Sequence, residues 1–415
     1  MNKTGLYLSR QETRHPLLNQ PPDPDTAFIV VIPVFNETDP EPCLQSIEEA
    51  AGFASQKVEI LIVVNDTDKS PETAVRQNRI SLESLPKRSG ACPLFVLDRT
   101  GLPHKKGGVG PARKTGMDEA CFRFFKAGRP GGVICSLDAD TRVEANYFLV
   151  LRDAFRNTSK ACLLIHYEHD TDNLPSKRHL EAITDYELHL RYYVHALRYA
   201  GFPYAFQTLG SAFAVDAAAY ASEGGMPPRQ AGEDFYFIHK FSVKNQVASI
   251  GGTTVHPSSR LSDRVPFGTG KALLDRMDGP PVEMMTYALR NFEVIRALLT
   301  QLEALYFQKS FRSLNLEKGL IEFLDTIGFE ARVSEMKKHS PSFKTFRNRF
   351  FQGMNAFMLM KCLHFLRDRD YANEPLGTAC RQLLDRMGLE GMKHGNHMDM
   401  LAYLRLKDKV LYMPS

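Results

Sequence analysis

Five apolar stretches of strand length recur in the first 170 residues, and their composition narrows the possible folds sharply. They are "AFIVVIPVF" (Ala27 to Phe35), "KVEILIVVND", "CPLFVLD", "GVICSLDAD" and "ACLLIHY". Each is nearly continuous in apolar residues instead of alternating, which is the pattern of a strand covered on both faces. Helical patterns separate them. Leu44, Ile47 and Ala51 recur at helical spacing after the start signal Asp39–Pro40, a second helix is expected over Pro111 to Ala127, and a third lies in "ANYFLVLRDAF". Apolar strands alternating with helices predict an α/β fold with a mainly parallel, doubly covered sheet.

The pattern changes along the chain. Residues 1–26 read as a polar, proline-rich extension, and "PPDPD" favours neither helix nor strand. After Asp170 the alternation fades into a long helix, Ser176 to Ala200. Short strands are expected near Phe206, at Ala212 to Val215 and at Val247 to Val255. From Lys271 onward every periodic segment is helical, "YALRNFEVIRALLTQLEAL" and "FRNRFFQGMNAFMLMKCLHFLRDR" among them. Three regions are therefore expected: 1–26, 27–270 and an α-helical 271–415.

Bulk properties exclude several classes. Of 415 residues, 43% are hydrophobic and 24% charged, so a packed core is expected. A net charge of +4 with no arginine-rich tract argues against nucleic acid as a partner. The seven cysteines form no CxxC pair and sit largely in apolar runs, which points to buried free thiols in a reducing compartment. No leader-like stretch opens the chain and no run of membrane-spanning length occurs, so a cytoplasmic protein is expected, with peripheral membrane contact left open.

In an open α/β sheet, ligands bind beyond the carboxyl ends of the strands. There the sequence gathers Pro33, Phe35, Asn36 and Glu37, then Asn65, Asp66 and Asp68, then Asp98 and Arg99, and finally Asp138 and Asp140. Carboxylates crowded on one rim repel one another unless cations or donors compensate, and a hard divalent ion with oxygen ligands does so economically. The segment "GLPHKKGGVGPARKTG" is glycine-rich and cationic and enters a helix, a pattern that suits phosphate, although it carries neither the P-loop nor the full dinucleotide fingerprint. Glu233 and Asp234 precede an apolar helix, where capping and the helix dipole would also explain them. His256 ends an expected strand, where a structural histidine is equally compatible.

Taken in order, these segments resemble the family 2 glycosyltransferases and their relatives with the GT-A fold. "IPVFNE" matches the opening strand pattern, "VVNDTDKS" the nucleotide-contacting acidic segment and "VGPARKTG" the third pattern, with Lys114 where asparagine is usual. "LDADT" matches the DxD motif, "LGSAFAVD" the acceptor segment, with Val215 and Asp216 where arginines are frequent, and "GED" the final acidic pair. The resemblance covers Ala27 to Gly270. It implies a nucleotide-diphospho-sugar donor (a UDP- or GDP-sugar), a hydroxyl acceptor, and Mn²⁺ or Mg²⁺ held by Asp138, Asp140 and His256. It implies donor contacts from Pro33, Phe35, Glu37, Asp66, Arg113, Lys114 and Asp138. It places Glu233 and Asp234 at the catalytic step, with Asp234 as base and inversion as the default outcome. The same sheet and motif serve retaining enzymes, and "HPSSR" resembles some of those. Two other readings remain: a sugar nucleotidyltransferase, disfavoured because "PVFNETDPE" has no glycine, and a non-catalytic nucleotide or carbohydrate binder. Acceptor recognition falls to loops at Asp170 to Ser176, Gly210 and Glu223 to Gln230 and to the helical region, none of which carries a decodable signature. The helical region is expected to shape the acceptor site or mediate dimerisation.

Overall fold

The structure is a computed structural model of the whole chain, and it describes residues 3–12, 15–171, 174–230, 232–264, 268–280, 282–308, 310–389 and 395–411. The chain divides into two compact units. The first comprises residues 1–175, 208–275 and 407–415, and the second residues 176–207 and 276–406. Thus the proline-rich lead-in belongs to the first unit, and the long helix after Asp170 belongs with the C-terminal helices.

The first unit is built on eight strands: β1 (Phe28–Val34), β2 (Val58–Thr67), β3 (Leu94–Leu102), β4 (Val133–Ser136), β5 (Arg142–Val143), β6 (Cys162–Tyr167), β7 (Phe213–Asp216) and β8 (Val247–His256). Their order in the sheet is β3-β2-β1-β4-β7-β6-β8-β5. The pairs β1–β2, β1–β4, β2–β3 and β6–β8 are parallel, whereas β7 runs antiparallel to both its neighbours and β5 antiparallel to β8. The mainly parallel sheet is as the sequence predicts. The expected strand near Phe206 does not form, and β3 runs on to Leu102, so Asp98 lies within the strand.

Helices α1 (Lys3–Ser9), α2 (Glu41–Ala54), α3 (Glu72–Ser84), α4 (Val109–Lys126) and α5 (Tyr147–Asn157) come first. The period of two in β1 sorts its side chains between faces. Phe28, Val30, Ile32 and Val34 share one core with Leu44 and Ile47 of α2 and with Phe148 and Leu151 of α5. Val31 faces the other way, onto α4. There Gly116 comes so close that a Cβ would lie 2.4 Å from Val31 Cγ1 and 3.0 Å from Val63 Cγ2. Gly116→Ala should therefore overpack the sheet–helix contact and cost about 1–3 kcal/mol. A thermal melt with unchanged midpoint would show that α4 can shift to admit the methyl group.

The lead-in is not a loose extension. Its first residues form α1, and Tyr7 Oη donates to Asp118 Oδ1 at 2.7 Å. Leu17 N donates to Glu119 Oε2, Arg123 donates to the Gln20 carbonyl, and Thr26 Oγ1 donates to Glu59 Oε1. Buried Asp118, Glu119, Arg123 and Glu59 would be costly alone; the arm and the Arg123–Glu59 pair at 2.6 Å satisfy them. The composition of residues 1–26 hides this because the partners, on β2 and α4, lie far away in the sequence.

Among the described residues the second unit is helical, with one exception. It holds α6 (Lys177–Tyr199) and, after α7 (Ala217–Ser222), α8 (Glu233–Ser242) and α9 (Thr269–Met277), the run α10 (Leu289–Leu299), α11 (Leu302–Phe307), α12 (Lys318–Thr326), α13 (Phe329–Lys338), α14 (Phe343–Gly353), α15 (Ala356–Arg369), α16 (Leu376–Arg386) and α17 (His397–Leu411), whose last turn counts with the first unit. Its core joins Leu188 and Tyr192 of α6 to Phe292, Leu324, Phe350, Leu363 and Leu383. The exception is a two-residue ladder, β9 (Met285–Thr286) with β10 (Glu374–Pro375), too short to leave a periodic signal. All seven cysteines are free and buried, as expected.

Candidate active site

Strand β4 carries the paired aspartates. The chain leaves it through Leu137, so that Asp138 and Asp140 flank buried Ala139. Two clusters form around them, one on each aspartate.

The first cluster centres on Arg113, one turn into α4. Its buried guanidinium donates from Nε to Glu233 Oε1 at 3.0 Å and from Nη2 to Asp138 Oδ1 at 2.8 Å. Nη1 donates to Ser136 Oγ and to the Gly210 carbonyl at 2.9 Å. Burial disfavours this charge, but Asp138 and Glu233 more than offset it and hold the guanidinium above its ordinary value. Glu233 is 2% exposed and begins α8. Beside it, burial, together with the Glu233 charge, pushes the Asp234 carboxyl up to about 6, against the pull of Arg113 and the Phe235 N–H. Gly210 closes the cluster. A Cβ there would stand 2.8 Å from Arg113 Nη2 and 3.1 Å from Asp234 Oδ2.

The glycine-rich loop holds this arrangement in place. At Gly110 a Cβ would collide with the Arg229 carbonyl at 1.8 Å, and Gly108 has φ 114° against Gln230. Gln230 Nε2 donates to the His104 carbonyl at 2.6 Å. The entry to α4 and the entry to α8 are thus locked together, which sets Arg113 opposite Glu233.

The second cluster centres on Asp140 and Glu37. Glu37 is 1% exposed and accepts the backbone N–H groups of Thr38 and Asp39. Arg260 forks onto its carboxylate, with Nη1 at 2.8 Å, and Arg264 Nη1 lies 3.1 Å away. Burial alone would raise the Glu37 carboxyl; Arg260 above all, with the Asp39 N–H and Arg264, brings it down to about 2. Both guanidiniums also reach Asp140 Oδ2, at 2.8 and 3.3 Å. Even so, burial keeps the Asp140 carboxyl above its ordinary value, against Arg260 and with help from the Asp138 charge. Arg264 further donates to the Phe35 carbonyl at 3.2 Å. Pro33 lies within β1, paired with Val63 of β2.

Asp66 stands behind this rim. Its carboxylate accepts Gly101 N at 2.7 Å and Asn78 Nδ2 at 2.9 Å, while Asn78 Oδ1 receives the N–H of Asn36, whose φ is 50°. Asp66 and Asn78 thereby fix the turns after β1 and within β3.

Two expected residues are engaged elsewhere. Lys114 projects from α4 to Asp118 Oδ2 at 2.6 Å, to Gln11 and to Tyr7, because the next position on a helix points about 100° away from Arg113. His256 ends β8 opposite Arg142; its Nδ1 lies 3.2 Å from the Glu168 carbonyl and its Nε2 3.9 Å from Glu144 Oε1. Among the described residues no three His, Cys, Asp or Glu side chains stand together at metal-binding spacing. Asp216, at the end of β7, caps α7 by accepting Ala219 N at 2.8 Å. The loop between Asp170 and Ser176 lies in part, at residues 172 and 173, outside the described residues. Sequence reasoning passed over Arg260, Arg264 and Asn78. The signal for the arginines was their spacing of four after "HPSS" in a segment otherwise rich in serine.

No family model matches the sequence, and no curated protein does. Among solved structures, the chain is similar to residues 1–349 of TarS from S. aureus in complex with UDP-GlcNAc, at 15% identity over 93% of this chain and 89% of that one, with a TM-score of 0.40. It is similar to the mannosyltransferase PcManGT from Pyrobaculum calidifontis in complex with GDP-Man and Mn²⁺, at 12% identity, 98% and 92% coverage and a TM-score of 0.37. It is similar to GalNAc-T7 with UDP, GalNAc and Mn²⁺, at 13% identity, 89% and 58% coverage and a TM-score of 0.36. These scores are low, and the functional reading rests on the chain's own residues.

Proposed function

We propose that the first unit is a glycosyltransferase of the GT-A type, which moves a sugar from a UDP- or GDP-linked donor to an acceptor hydroxyl. The observation that carries this reading is the geometry at the β4 mouth, where Arg113 joins Asp138 to Glu233 beside Asp234, and Arg260 and Arg264 join Asp140 to Glu37. Glu37 is held ionised near 2, whereas Asp234 is raised to about 6 next to Asp138. Titratable groups driven apart in this way mark sites of proton transfer. Asp234 is the group suited to accept the acceptor hydroxyl's proton near neutral pH. Arg113 holds Glu233 and Asp138 in fixed positions around it. Arg260 and Arg264 bring two positive charges to the same rim, where planar guanidiniums suit a diphosphate. Attack by the acceptor on the face opposite the leaving nucleotide would invert the anomeric centre.

Asp138 and Asp140 are hard oxygen donors, and the half-buried Asp140 carboxyl is held above its ordinary value despite two arginines. That donor set fits Mn²⁺ or Mg²⁺, and His256, whose Nδ1 meets the Glu168 carbonyl, has its Nε2 as the third candidate ligand atom. When bound, the ion would supply Lewis-acid stabilisation of the leaving diphosphate.

The test is thermal shift of the full chain with UDP, GDP and their common sugar conjugates, each with Mn²⁺, Mg²⁺ or EDTA. A native-state ligand at a hundred times its Kd stabilises by about 2.7 kcal/mol. The expected result is a rise that needs one nucleotide and a divalent ion, and that Asp140→Asn removes. No rise with any combination would overturn the donor assignment.

A further inference from the structure

The second unit carries a surface that the transferase reading does not use. Phe307, at the end of α11, is 73% exposed, although its neighbour Tyr306 is packed against Phe343 and Phe346 of α14 with ring centroids 6.1 and 5.3 Å apart. The end of α13 closes around the same point. Lys337 Nζ donates to the Gln308 carbonyl at 2.6 Å, and Tyr306 Oη donates to the Ser340 carbonyl at 3.1 Å. Phe307 therefore stands out from a rigid junction of three helices. Its exposure is a property of a packed surface and not of a loose end.

The charge around this junction is mostly positive, although Glu330 of α13 accepts Ser310 Oγ at 2.7 Å. Between Glu335 and Asp368 the chain has no acidic residue, while Lys338, Lys344, Arg347 and Arg349 are all exposed. Glu335, the acid nearest the end of α13, is occupied by His339 at 2.8 Å and Lys338 at 3.6 Å. Glu303, one turn before Phe307, is the remaining acid on α11. A solvated cationic face has no use for an exposed phenyl ring. A soluble polyanion would use the cations and gain nothing from the ring. An anionic bilayer uses both, because the ring enters the acyl boundary while lysines meet the phosphates. No helix among the described residues is long and apolar enough to cross a membrane, so attachment through this surface would be peripheral.

We propose that the junction of α11, α13 and α14, with Phe307 at its tip, is a docking site for an anionic lipid surface. The experiment is sedimentation of the full chain with phosphatidylcholine vesicles, with and without phosphatidylglycerol, over a range of salt. Wild type should sediment only with the anionic vesicles and should be released by salt. Each cation near such a surface is worth roughly fivefold in partition, so Lys338→Glu/Lys344→Glu should weaken binding by more than tenfold. Phe307→Ser should weaken it severalfold with circular dichroism unchanged. Failure of wild type to bind anionic vesicles at low salt would overturn the proposal. So would full binding by Phe307→Ser, or capture by a soluble polyanion that Phe307→Ser leaves intact while vesicle binding is absent. None of these readouts depends on sugar transfer, so loss of the transferase reading and loss of this one are separable.

Discussion

Asp234→Asn should cut sugar transfer by about 10²-fold or more while the protein stays folded. Asparagine keeps the shape of the side chain, and its carbonyl can still accept the Phe235 N–H that now lies 2.7 Å from Asp234 Oδ1. What it loses is the basic oxygen. The pH profile of the wild type supplies an independent check. The carboxyl is raised from 3.8 to about 6 by burial and then by the Glu233 charge. Below about pH 6 it is protonated and cannot accept a proton, so the rate should rise tenfold per unit up to that point and then level off. Stability runs the other way. A carboxyl whose folded pKa lies above its unfolded one stabilises the fold through its protonated form. That contribution is complete below the unfolded value and is lost as pH rises through about 6. Asp234→Asn should therefore be no less stable than wild type at neutral pH and should lack this decline. Wild-type transfer by the variant, or a rate independent of pH between 5 and 7, would place the base elsewhere.

Such a trade of stability for activity explains why parts of the site were legible in the sequence and others were not. Apolar runs report burial on two faces, so β1, β2, β4 and β6 could be read directly, and their carboxyl ends located the rim where Glu37, Asp66, Asp138 and Asp140 stand. Aspartates at a strand mouth are conspicuous because they are expensive there. Arg260 and Arg264 are not conspicuous. Arginines in a serine-rich loop look solvated, and only the fold brings them to Glu37, more than 220 positions away in the chain. The same blindness explains the lead-in. Tyr7 and Leu17 meet α4 across about a hundred residues, and no local period encodes such a contact. Lys114 shows the converse case. Next to Arg113 in sequence it looked like a second phosphate cation, yet helical geometry turns it to Asp118. Local pattern located most of the strands and helices; the partners of each charge depended on long-range packing.

Arg113→Met should be the most destabilising single change in the first unit among those considered. The guanidinium is 2% exposed and satisfies four acceptors: Glu233, Asp138, Ser136 and the Gly210 carbonyl. Methionine fills much of the same volume, so the loss is electrostatic more than steric. It leaves Glu233, itself 2% exposed, as an unpaired charge in the interior. Breaking a buried pair by removing one partner costs about 3–5 kcal/mol, a drop in Tm on the order of 10 °C for a unit of this size. The companion variant Arg113→Met/Glu233→Gln removes the stranded charge as well and should recover a large part of that loss, because a neutral pair of similar shape no longer needs the compensation. Neither variant should transfer sugar at the wild-type rate, since Asp138 and the start of α8, which carries Asp234, lose the group that joins them. The two melts and one activity assay separate the roles. Recovery of stability without recovery of transfer is the expected pattern. An Arg113→Met protein that melts with wild type would show that the interior tolerates Glu233 without this partner and that Arg113 serves the ligand alone.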